Sequence, residues 1–70
     1  MDTREKVIEW MQETDFVDYY DVVGNNSEIY LAHVTIESGL AYDVCTEHFK
    51  FEDNINCTPI NGYLVIQINE

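Results

Sequence analysis

Asp15-Phe16-Val17-Asp18-Tyr19-Tyr20-Asp21-Val22-Val23 is built from three triplets, each an acid followed by two large apolar residues. A repeat of three fits neither the strand period of two nor the helix period of 3.6. As a helix, the stretch would set Asp15, Asp18 and Asp21 on one stripe, with Gly24 as a C-terminal stop. As a strand it suits the residue types better, because six of the nine are aromatic or β-branched. We read it as a strand. That reading makes the chain a helix followed by a sheet rather than a pair of helices.

Upstream, Asp2 and Glu5 have the spacing of a capping box, with Asp in place of Ser or Thr. Val7, Ile8, Trp10 and Met11 follow at helical spacing. The pattern predicts an amphipathic helix over 3–14, ending in the apolar-free run Gln12-Glu13-Thr14-Asp15. Downstream, Gly24-Asn25-Asn26-Ser27 is a turn signal. Residues 28–37 read as a strand with Tyr30, Ala32, Val34 and Ile36 on one face. Ser38-Gly39 reads as the next turn, and 41–51 as a strand with Tyr42 and Val44 on one side and Cys45 on the other. Residues 52–62, with Pro59 and Asn61-Gly62, read as a loop. A last strand over 63–69 turns Leu64, Ile66 and Ile68 inward. The expected fold is α+β: one domain over 1–70, its N-terminal helix packed on a three- to four-stranded antiparallel sheet connected as a meander.

The charge is lopsided. Fourteen Asp and Glu face three Lys and Arg, for a net charge of −11 in 70 residues. Such a charge opposes compaction by self-repulsion, and a chain this short buries only about 60% of its unfolded surface. The chain is nevertheless 46% hydrophobic, with five Tyr, three Phe and one Trp, unlike a disordered acidic tail. No apolar run approaches the roughly 18 residues of a membrane span. The first residues are charged, without the apolar core of a signal peptide. We expect a cytoplasmic protein without membrane contact. Direct nucleic-acid binding is disfavoured, since phosphate contacts need Lys and Arg and only Arg4, Lys6 and Lys50 are present.

Catalytic and metal chemistry find little support. Cys45, His48, Cys57 and His33 could in principle surround a zinc ion, but the second half of the set lacks ligands at the usual spacing. On a strand, Cys45 and His48 would point to opposite faces. There is no nucleophile elbow and no Gly-rich phosphate loop. The expectation is no enzyme, no cofactor and no metal. Cys45 and Cys57 could form one disulfide in an oxidising compartment, and in a reducing cytosol they are expected as free, half-buried thiols.

The acids are ordered. Glu5, Glu9 and Glu13 recur every fourth residue and line one stripe of the first helix, about 6 Å apart along the axis. Like charges so placed cost a few tenths of a kcal/mol per pair. The interval is close to that of phosphates along one DNA strand. Asp15, Asp18 and Asp21 continue the series, and Tyr19 and Tyr20 lie between them as interface-forming aromatics. In size, charge and these residues, the chain resembles the small acidic inhibitors of phages and mobile elements, including DNA-mimicking anti-restriction and anti-CRISPR proteins. The likeness covers the first third of the chain.

The resemblance implies occupation of a host protein's basic, nucleic-acid-binding surface through Glu5, Glu9, Glu13, Asp15, Asp18, Tyr19, Tyr20 and Asp21, by a monomer or homodimer. Two other readings share the composition: an antitoxin or immunity protein neutralising a basic nuclease, and a small metal- or redox-responsive protein using the Cys and His residues.

Overall fold

A computed structural model of the chain describes residues 2–24 and 28–69. The first helix, α1 (Thr3–Glu13), starts where the capping signal predicts. The Asp2 carboxylate accepts from the Glu5 N–H at 2.9 Å, satisfying one of the donors a helix start leaves without a partner. Val7, Trp10 and Met11 are buried, and their i, i+3, i+4 spacing sets the buried stripe.

The acid triplets do form a strand, β1 (Val17–Val23), antiparallel to β2 (Ile29–Val34). Between Val17 and Tyr19 the register slips by one residue, so Asp18 sits at a bulge. In β2, Tyr30, Ala32 and Val34 are buried as the alternation predicts. Ile36 lies beyond the strand's end and is exposed. The turn expected at 24–27 falls mostly on 25–27, outside the described residues.

Two of the expected elements are overturned. Residues 41–51 are not a strand: Ser38–His48 forms a second helix, α2. Its buried residues Ala41 and Cys45, followed by Phe49 just past its end, are four apart, a helical interval that outweighs the strand-like Tyr42, Val44 and Cys45. Ser38-Gly39 is the first turn of this helix, not a chain reversal. Likewise, 52–62 is not a loop throughout. Ile55–Ile60 forms β3, which pairs antiparallel with β4 (Tyr63–Ile68). Only Asn61-Gly62 separates them, with Gly62 at φ 84°, in the two-residue Asn-Gly hairpin that favours positive φ.

Pro59 does not break β3 because β3 is an edge strand. Ile60 and Tyr63 flank the hairpin as a hydrogen-bonded pair, so the backbone nitrogen at 59 points away from β4 and its missing proton costs no ladder bond.

The sheet order is β1-β2-β4-β3, all antiparallel, not a meander. The chain is therefore two consecutive α-β-β units, α1-β1-β2 and α2-β3-β4. They join along β2 and β4, where Leu31 opposes Val65. Tyr30, Ala32, Val34, Leu64, Ile66 and Ile68 point to one face and meet Val7, Trp10, Met11, Ala41, Cys45 and Phe49 in one core. Trp10 fills the middle of the helix layer, edge-on to Phe16 (5.9 Å) and Phe49 (5.7 Å). Both helices thus cover the same side of the sheet, and the other side is left without a helix.

Candidate functional site

Strand alternation decides what the uncovered face displays. Register across the four strands lines up Tyr19, His33, Tyr63 and Ile60 in one outward row and Asp21, Leu31, Val65 and Thr58 in the next. Tyr19 stacks on His33, ring centroids 4.9 Å apart and 8° from parallel. Tyr63 closes on the other side of His33, edge-on at 5.4 Å. Cross-strand aromatic pairs of this kind stabilise a sheet and fix its register.

His33 Nδ1 is buried and forms no hydrogen bond. The Asp18 carboxylate is the closest charge to it, at 3.6 Å, longer than a hydrogen bond allows. Tyr63 raises the Tyr19 phenol above its ordinary range, and partial burial, Asp21 and Asp18 add to the rise.

The bulge at Asp18 opens the edge of β1. Asp18, Tyr19 and Tyr20 line a cleft of about 320 Å3 with Met11, Gln12 and Val17. Its lining is amphipathic: Met11 and Val17 beside Gln12, Asp18 and the two tyrosines. Long cationic side chains in general lay an apolar stem on such walls and set the charged head on a carboxylate or over an aromatic ring. Tyr20 itself faces inward, edge-on to buried Tyr30 at 6.2 Å, so it walls the cleft while Tyr19 faces outward.

Charge placement follows from the same layout. Asp18 and Asp21 are the only Asp, Glu, Lys or Arg residues in the four strands. All three cations belong to the helix layer and its loops. Lys6 pairs with Glu52 at 2.9 Å, and Lys50 with Glu47 at 3.0 Å. Arg4 acts on the Tyr30 phenol, lowering what burial raises. Two of three positive charges are thus spent on internal pairs.

The acids singled out in the sequence therefore divide. Asp18, Tyr19, Tyr20 and Asp21 lie together on β1. Glu5, Glu9 and Glu13 are exposed on α1, and Glu9 and Glu13 border a smaller hollow of about 140 Å3 with Lys6, Trp10 and His48. Asp15 is exposed in the turn between α1 and β1. His33, Tyr63 and Met11 were missed. The period-two pattern places His33 and Tyr63 outward, but only the strand register brings them to Tyr19.

Cys45 and His48 do not sit on opposite faces of a strand, as expected. On α2 they are nearly one turn apart, yet Cys45 is buried while His48 is exposed beside Trp10 and Phe49. Among the described residues no three His, Cys, Asp or Glu side chains converge as a metal site would require. No helix among the described residues is long and apolar enough to cross a membrane. Comparison with known proteins finds no matching family model, curated protein or solved structure.

Proposed function

We propose that the protein is a non-enzymatic, acidic binding protein that occupies the basic, nucleic-acid-binding surface of a partner protein and so inhibits it. One observation carries this reading: the uncovered sheet has carboxylates as its only formal charges, set beside an aromatic cluster and a cleft that suits an Arg or Lys side chain. Its field steers a cationic groove toward it at a salt-sensitive rate. Asp18 and Asp21 then pair with guanidinium or ammonium groups. Tyr19 supplies the rigid apolar contact that anchors an interface. Glu5, Glu9 and Glu13 extend the negative surface over the helix layer, and the occupied groove is closed to nucleic acid.

The test is affinity capture from a lysate of the encoding organism at low salt, eluting with rising salt. The expected eluate is a basic nucleic-acid-binding protein whose nucleic-acid binding the captured complex has lost. Asp18→Lys with Asp21→Lys should abolish capture while leaving the melting curve cooperative. A partner that binds nucleic acid undiminished in the complex, or capture indifferent to the double reversal, overturns the proposal.

A further inference from the structure

The second α-β-β unit holds a pair of groups that the binding surface does not use. Cys45 projects from α2 into the core and is fully buried. Cys57 lies on the inward row of β3 and is half-buried. Their sulfurs are 2.9 Å apart, one thiol donating to the other. A disulfide needs about 2.05 Å, so closing the gap asks each sulfur to move roughly 0.4 Å.

We propose that Cys45 and Cys57 form a dithiol site that exchanges with small-molecule disulfides of the glutathione type, closing a reversible covalent link between α2 and β3. This stands independently of the binding proposal. The order of events follows from access. Cys57, the less buried of the two, attacks one sulfur of the disulfide as thiolate, forming a mixed disulfide and releasing one thiolate. Cys45 then attacks the Cys57 sulfur, and its proton passes to the second thiolate as that group is expelled. Two protein thiols are oxidised by two electrons, and the small disulfide is reduced to two thiols. The electrostatics agree with these roles: the hydrogen bond from Cys45 lowers the Cys57 thiol, while that bond and burial push the Cys45 thiol up. The link would close a 12-residue separation, removing freedom from the unfolded chain.

The experiment equilibrates the folded full chain with glutathione disulfide and follows free thiols, intact mass and melting temperature. Expected are loss of both thiols together, a monomer lighter by two hydrogens, and a Tm higher by about 10 °C or more, all reversed by dithiothreitol. Cys45→Ser should retain a glutathione adduct on Cys57. Cys57→Ser should stay unmodified while folded, because Cys45 is buried. Persistence of both thiols, disulfide-linked dimers, or equal reactivity of Cys45 in Cys57→Ser overturns the proposal. Where Cys45→Ser fails to fold, the unaltered chain decides the matter alone.

Discussion

The two α-β-β units share one plan and differ in what they do with it. Each lays a helix over a hairpin, and each gives the sheet one central and one edge strand. The first unit ties its helix down with the Trp10–Phe16 contact and carries Asp18, Tyr19 and Asp21 on its edge strand. The second ties its helix to its edge strand with the Cys45–Cys57 contact, and that strand bears no Asp, Glu, Lys or Arg. Even their edges are blunted differently, β1 by two carboxylates and a bulge, β3 by Pro59. Of the two edge strands, only β1 carries formal charge, while both hairpins feed the same core.

The largest effect should come from the aromatic centre of the helix layer. Trp10→Ala is expected to cost about 3–5 kcal/mol in urea unfolding, more than Cys45→Ala, which removes a far smaller side chain. Comparable losses would mean that the two units are secured alike. Next comes the edge comparison: Asn56→Lys with Thr58→Lys on β3 should reduce capture of a basic partner much less than the paired reversal on β1. Equal reductions would show that the whole field matters and not the β1 edge.

Smaller effects separate the two turn signals of the second unit. Gly62→Ala should destabilise by about 1–2 kcal/mol, since φ there is positive and left-handed for an L residue. Gly39→Ala should stabilise by up to about 1 kcal/mol, because the site is helical and an added Cβ meets nothing within 4 Å. The smallest is a pH effect. Burial raises the Tyr30 phenol above its ordinary value, so the folded chain holds that proton longer than the unfolded one. Its contribution is complete below about pH 10 and is lost as pH rises through the folded value. Tyr30→Phe should flatten the alkaline limb of a Tm–pH series.

Local patterns revealed α1, β2 and β4, because a buried face repeats at the period of its own element, and β1 through its aromatic and β-branched residues. They hid α2 and β3 for identifiable reasons. Ser38-Gly39 looks like a reversal, and Tyr42, Val44 and Cys45 look like a strand, so a four-residue burial interval was overlooked. Pro59 reads as a strand breaker unless the strand is known to lie at an edge, which is a property of the whole sheet. The site was half legible for the same reason. Asp18 and Tyr19 stand out within one segment. His33, Tyr63 and Met11 join them only through pairing between distant segments.

The β2–β4 seam also sets a timetable. Each hairpin joins neighbours in the chain and can form within microseconds, whereas Leu31 and Val65 must find each other across 34 residues. Closing that distance demands entropy before any contact rewards it. Pairing along this seam is therefore expected to be the slow event, and substitutions there should retard refolding more than equally costly ones in either hairpin turn.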